Sequence, residues 1–209
     1  MESGIKYIGI IQIIIMKKIK KISVKFLTYL LSLLSEKEGT IFSTVNQPCY
    51  TKDGKFIGWF SRSMATALFV FCKDKEGITH VLASERGKGT PDFQGYWNCT
   101  CGYLDFNETT KQCALRELKE ETGVEINEKD MEFIGYEDSP KANHQNVTFR
   151  FGAFVKDKTI DEFTFSKKDN EKNEVGQILW IPLTDIDKFE WAFGHKERIV
   201  EIANKLGLI

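Results

Sequence analysis

Proline is scarce in this chain, with four residues in 209, and histidine is scarcer still, with three. Neither an internal repeat nor a low-complexity tract is present. With 42% hydrophobic and 28% charged residues, the composition excludes a disordered chain and a collagen-like repeat. The two apolar pieces near the start, residues 8–16 and 26–34, are nine residues each, well short of the ~20 that a helical membrane span needs. The five cysteines, Cys49, Cys72, Cys99, Cys101 and Cys113, are odd in number and spaced unlike a disulfide framework. Cys99 and Cys101 flank a single residue, and no second Cys or His pair follows at zinc-finger spacing. Reduced thiols in a cytoplasmic protein are the expectation. Nor is there an excess of one charge: 29 Lys and Arg stand against 30 Asp and Glu, a formal net charge of -1. That balance removes any general attraction to nucleic acid, so none is expected as a partner.

What the chain does have is length for one domain, or one domain with an extension. The charge is unevenly placed. Residues 1–48 hold seven lysines against three glutamates, while the remainder holds 22 positive against 27 negative side chains. We therefore expect a basic, partly helical N-terminal extension over 1–48 and a folded domain over 49–209. The extension places the cluster Lys17, Lys18, Lys20 and Lys21 between its two apolar pieces. A packing helix, a surface-bound amphipathic helix with peripheral membrane contact, and a weak export signal starting at Met16 all fit that pattern.

From about Tyr50 the pattern is α/β. Residues 65–72 (ATALFVFC) form a nearly continuous apolar run, as in a strand buried on both faces. Residues 79–83 read as its neighbour, across a turn at 73–77. Residues 86–96, rich in Gly, Pro and Lys, read as a loop. Residues 109–122 read as a helix stopped by Gly123, with Ala114, Leu115 and Leu118 on its apolar face. Strands are expected at 131–136, 146–155 and 176–181, a charged connection at 157–173, and a closing helix at 189–206. Strands on both sides of a helix imply a mixed sheet with helices packed against it.

Chemistry concentrates in residues 102–124, GYLDFNETTKQCALRELKEETGV. On a helix, Glu117, Glu120 and Glu121 fall at i, i+3 and i+4 and share one face. Like charges so close raise one another's pKa and suggest a nearby cation. Oxygen-only ligands suit Mg²⁺ or Mn²⁺. Arg116 and Glu108, at the loop-to-helix entrance, can pair and fix the loop to the helix. A plain solvated helix face would carry the same ELKEE run, so the spacing decides. Gly102, Glu108, Arg116, Glu117, Leu118, Glu120, Glu121, Gly123 and Val124 match every fixed position of the 23-residue Nudix box, and the segment resembles the signature of the Nudix hydrolase superfamily. Trp97 ahead of the box, a strand ending in Arg86, and Trp180 followed by Ile181-Pro182-Leu183 agree with the resemblance.

The resemblance covers about residues 60–209 and implies a Nudix-type α/β/α sandwich with a mixed β-sheet. It implies a pyrophosphohydrolase that cleaves a diphosphate bond in a nucleoside diphosphate-linked substrate. Mg²⁺, or Mn²⁺, would neutralise the phosphates and activate the attacking water, and a carboxylate would accept its proton. By the same resemblance, Glu117, Glu120 and Glu121 hold metal, and Arg116 and Glu108 orient them. Glu174, six residues ahead of Trp180, is the candidate for a further metal ligand or base. The chain departs from the family where Leu-Pro-Gly usually precedes the box glycine: it has Cys99-Thr100-Cys101. Cys101 can still offer the metal its main-chain carbonyl, although a Cβ stands where glycine is usual. Arg86, Phe93 and Trp97 are candidates for substrate binding. Pro140, 16 residues beyond Val124, lies at about the distance associated with ADP-ribose pyrophosphatases, and it equally suits a simple turn. A small-molecule diphosphate is the expected partner, with homodimer formation an open expectation. The contrasting reading is a non-catalytic Nudix-fold nucleotide-binding regulator, whose usual mark is a broken box.

Overall fold

The computed structural model describes residues 47–50, 54, 56–143, 145–166 and 173–209. The expected leader helix and the Met16 start lie outside the described residues. The chain divides into two compact units between Ser61 and Arg62. In the first, β1 (Gln47–Tyr50) pairs antiparallel with β2 (Phe56–Phe60).

The second unit is organised by β3 (Ser63–Lys73), which is buried without interruption from Ala65 to Cys72. Both its faces are covered, as the apolar run predicts. Leu68, Val70 and Cys72 point into one core with Ala114 and Leu118 of helix α1 (Thr110–Thr122). Ala67, Phe69 and Phe71 point into a second core with Ile199, Ile202 and Ala203 of helix α2 (His195–Lys205). Successive strand residues alternate in direction, so one strand feeds two helical layers. The result is an α/β/α sandwich.

Seven strands form the mixed sheet. The main path runs β5 (Trp97–Asn98), β4 (Thr79–Arg86), β3, β8 (Asn146–Thr159) and β7 (Met131–Glu137). Among the described residues, β3 and β8 are the pair of strands that runs parallel, in register from Ser63↔Asn146 to Cys72↔Val155. The opposite edge of β3 is shared: β6 (Thr100–Tyr103) takes Ala65 to Leu68, and β4 takes Phe71 to Lys73. The sheet thus forks, and β9 (Val175–Pro182) continues from β4. This fork brings the end of β4, the entry to the box and the start of β9 to one end of the sheet.

Helix α1 begins where the sequence suggests. The Thr109 hydroxyl accepts from the Gln112 amide at 3.3 Å, and the Gln112 side chain accepts from the Thr109 amide at 2.8 Å, a reciprocal cap. Gly123 closes it at φ 75°, and a Cβ there would lie 2.7 Å from Ser166. Backbone freedom and close approach both call for glycine.

Two expectations require correction. The 157–173 connection is not simply a charged loop: β8 extends to Thr159, a short 3₁₀ turn follows, and Phe163 and Phe165 pack against the α1-side core. The closing helix starts at His195 rather than 189. The preceding residues run beside Trp97, whose amide donates to Glu190 O and whose carbonyl accepts from the Ala192 amide, both at 2.8 Å. Pro140 lies in a turn where the Ala142 and Asn143 amides both donate to Ser139 O. Among the described residues, no helix is long and apolar enough to cross a membrane.

Candidate active site

Arg116 organises the entrance to α1. Its Nε and Nη2 donate to the two oxygens of Glu108, at 3.0 and 2.7 Å, and Nη2 also reaches Tyr103 O at 3.1 Å. The Asp105 amide donates to the same Glu108 carboxylate at 2.9 Å. Two-point pairing with a guanidinium plus a backbone donor strongly favours the charged form. Arg116 foremost, and then this amide, lower the Glu108 pKa to about 2. The remaining Arg116 nitrogen turns to the helix: Nη1 donates to Glu117 at 2.8 Å and to Glu120 at 3.1 Å. Glu108, Arg116, Glu117 and Glu120 therefore form one connected group.

Gly102 has a specific reason to lack a side chain. A Cβ there would fall 2.1 Å from the carboxyl carbon of Glu117. The loop backbone and the Glu117 carboxylate occupy adjacent space, and any larger residue would displace the acid. Burial raises the Glu117 pKa, an effect that Arg116 partly opposes.

Glu121 is set differently. Its Oε2 is buried and has no hydrogen-bond partner. Burial foremost, and then the charge of Glu117, push its pKa well above the usual carboxylate range, although Arg86 and the Cys101 backbone act in the opposite direction. A buried acceptor without a partner is costly unless another group satisfies it. Among the described residues, no three acidic, thiol or imidazole side chains already converge as a closed cation site, and Glu117 and Glu120 are turned onto Arg116. The donor set nevertheless fits a hard divalent cation, because it offers clustered oxygens and one buried oxygen with unspent acceptor capacity.

Glu174 reaches this region by a backbone zipper. Its carbonyl accepts from the Gly87 amide at 2.8 Å, and that of Asn173 accepts from the Gly89 amide at 2.9 Å. A Cβ on Gly87 would collide with Asn173 O at 2.1 Å. The Glu174 side chain is exposed but within electrostatic reach, since its charge contributes to raising Glu121. Cys101 sits on β6 beside the acids. Desolvation of this half-buried thiol pushes its pKa up to about 12.

The three substrate-binding candidates separate. Arg86 is largely buried, ion-paired to Asp92, and stacked 4.7 Å from the Phe193 ring centroid. Phe93 is exposed. Trp97 is not available as a stacking surface: it is 8% exposed and packs edge-on to Phe189 in the α2-side core. His195 is also buried. Its Nδ1 accepts from the Cys99 amide at 3.0 Å, and burial lowers its pKa to about 3. It is a neutral strut between α2 and the strand leading into the box. The sequence reading missed Asp92 and Phe193 as neighbours of Arg86; Phe193 lies more than 100 positions away, and no local pattern links them.

Residues 62–201, more than half of the chain, match the NUDIX domain. The chain belongs to the Nudix family. No curated protein matches it. Among solved structures it resembles a MutT/nudix family protein from Enterococcus faecalis, with TM-score 0.57 and 22% identity over 88% of this chain and 68% of that one. The NUDIX domain of Shewanella oneidensis NrtR, solved with ADP ribose, gives TM-score 0.56 and 22% identity over 70% of this chain and 90% of that one. S. oneidensis NrtR complexed with a 27mer DNA gives 0.52 and 21%, over 68% and 61%. At these identities the likeness is one of fold.

Proposed function

We propose that this protein is a Mg²⁺-dependent pyrophosphohydrolase, with Mn²⁺ as a substitute, that cleaves the diphosphate of a nucleoside diphosphate-linked small molecule in the cytoplasm. The observation that carries the reading is the buried, unpartnered oxygen of Glu121 beside Glu117 within a complete box. Glu117, Glu120, Glu121, the Cys101 carbonyl and Glu174 would hold the cation. When bound, it would neutralise phosphate charge and acidify the attacking water.

The remaining work falls to the chain. Glu108 locks Arg116, and Arg116 steers Glu117 and Glu120 to one side of α1. Glu174, carried on a separate segment, is our candidate for the base or a further ligand. Arg86, now paired with Asp92, would meet a phosphate by exchanging Asp92 for it. The second reading is a non-catalytic nucleotide-binding module or regulator, which the likeness to NrtR, solved with ADP ribose and with a 27mer DNA, supports. Such a protein has no need of an acid with spare acceptor capacity.

The test is hydrolysis of a nucleotide panel, ADP-ribose included, with Mg²⁺ and with Mn²⁺, products resolved by chromatography. Metal-dependent release of a nucleoside monophosphate supports the enzyme. Binding without turnover across the panel supports the regulator.

A further inference from the structure

The face of the sheet turned toward α2 carries a row of side chains that starts beside the acids. Cys101 on β6 pairs with Ala67 on β3, and Ala67 pairs with Arg150 on β8. Paired residues point to the same face, and Ala67 belongs to the α2-side core. With strands about 4.8 Å apart, Arg150 is rooted roughly 10 Å from Cys101. Gly152, the next residue on that face of β8, is packed under α2: a Cβ there would lie 2.7 Å from Ile202. Arg150 stands nearer the end of the sheet that holds the acids.

The Arg150 side chain is 15% exposed, and its Nη2 donates to Glu137 Oε2 at 3.0 Å. Among the described residues, its Nε and Nη1 take no hydrogen-bond partner. The same Glu137 oxygen lies 3.5 Å from Arg198 Nη2, so one carboxylate serves two guanidiniums. The other Glu137 oxygen accepts from the Ser139 amide at 3.1 Å. Glu201 is also shared, by Arg198 at 2.7 Å and Lys205 at 3.3 Å. Arg150, Arg198 and Lys205 thus face two carboxylates, and the network holds a surplus positive charge. The charges of Arg150, Arg86 and Arg198 all act on the buried, neutral His195, so the three guanidiniums gather about the start of α2. A sheltered guanidinium with unspent donors and excess charge is complemented by an anion rich in acceptors.

We propose that Arg150 is a specificity-determining residue that binds a second phosphate, a phosphomonoester borne on the sugar of the nucleoside diphosphate-linked substrate. This rests on the diphosphate reading above and adds a charge requirement to it. The cation beside Cys101 and the length of the Arg150 side chain each take up part of the roughly 10 Å between their strands. What remains suits two phosphate groups carried by one nucleoside. Glu137 holds the guanidinium through Nη2 and leaves Nε and Nη1 to the ligand.

The experiment is calorimetric binding of ADP, adenosine 3′-phosphate 5′-diphosphate and adenosine 2′-phosphate 5′-diphosphate to the full chain with Ca²⁺. It compares wild type with Arg150→Ala and Arg150→Lys, each checked by thermal unfolding. In wild type, at least one of the two sugar-phosphorylated ligands should bind about tenfold more tightly than ADP. Arg150→Ala should lose most of that margin, and Arg150→Lys should keep only part of it. Equal binding of all three ligands by wild type overturns the second-phosphate site alone. A margin that survives in Arg150→Ala overturns the role of Arg150, and so does equal weakening of all three ligands, which marks a structural role. Should Arg150→Ala fail to fold, Arg150→Lys decides: a reduced margin supports the site, and a full margin overturns it. Absence of binding of all three ligands by wild type overturns the site together with the function it rests on.

Discussion

Glu108 and Glu121 are both acids of the box, and their surroundings are opposite. Glu108 is met by two Arg116 nitrogens and a backbone amide, and its pKa falls to about 2. Glu121 keeps one buried oxygen without a partner, and its pKa rises. One acid is spent on holding structure, and the other retains the capacity to bind or accept. A count of carboxylates in the motif does not separate these roles; the partners do.

The largest effect should come from collapsing the difference at the Glu121 end. Glu121→Gln, and similarly Glu120→Gln, should lower turnover by about 10²–10⁴-fold, while circular dichroism and the unfolding midpoint show the fold retained. Near-wild-type rates at saturating Mg²⁺ in both variants would remove the assignment of this site.

Next comes Gly102→Ala. Its Cβ needs the space held by the end of the Glu117 side chain. That side chain can swing away at little cost to folding, so activity should fall by about 10²-fold with only a small change in melting temperature. A large stability loss at unchanged specific activity would mean that the glycine serves the loop instead.

Glu108→Gln should reverse the emphasis, costing about 1–3 kcal/mol of stability with a lesser effect on chemistry. Its pH signature is specific. The folded-state pKa of Glu108 is depressed from 4.5 to about 2, so its contribution is present above pH 4.5 and is lost as pH falls through 2. Denaturant unfolding from pH 6 down to 2 should show a smaller loss in the variant than in wild type across that window. Parallel curves would separate Glu108 from the acid sensitivity.

Glu174→Gln sharpens the comparison from outside the box. As the base, Glu174 should lower kcat far more than it raises KM when replaced, with the acidic limb of the pH–rate profile shifted or lost. As a metal ligand, it should allow much of the rate to return at higher Mg²⁺ or Mn²⁺. Unchanged kcat at ordinary Mg²⁺ rejects both roles. The smallest effect is expected from removing residues 1–15, which precede the matched domain beginning at 62: activity and melting temperature should stay close to wild type.

Much of this site could be read from spacing, because a helix converts sequence intervals directly into faces. Glu117, Glu120 and Glu121 had to share a side of α1, and Thr109 and Gly123 had to bound it. The buried run in β3 was equally legible. Other features escaped for physical reasons. Trp97 reads the same in sequence whether it stacks on a ligand or fills a core, and the distant segment that bridges to it at Trp191, with the Phe189 ring against it, decides. Phe163 and Phe165 sit among charges, so a polar stretch concealed core residues. Residues 189–194 carry aromatics at spacings a helix also tolerates, yet their backbone pairs with β5. The Phe193–Arg86 contact joins distant parts of the chain and has no local signal at all.

The most direct test of the difference between the two acids is Mn²⁺ binding followed by electron paramagnetic resonance on wild type, Glu121→Gln and Glu108→Gln. Removing a metal ligand should weaken binding more than removing a residue that orients ligands, whose loss typically costs about 10–100-fold. Binding should therefore fall most in Glu121→Gln and less in Glu108→Gln, with both proteins folded. Equal Mn²⁺ affinity in wild type and Glu121→Gln would contradict the role assigned to that buried oxygen.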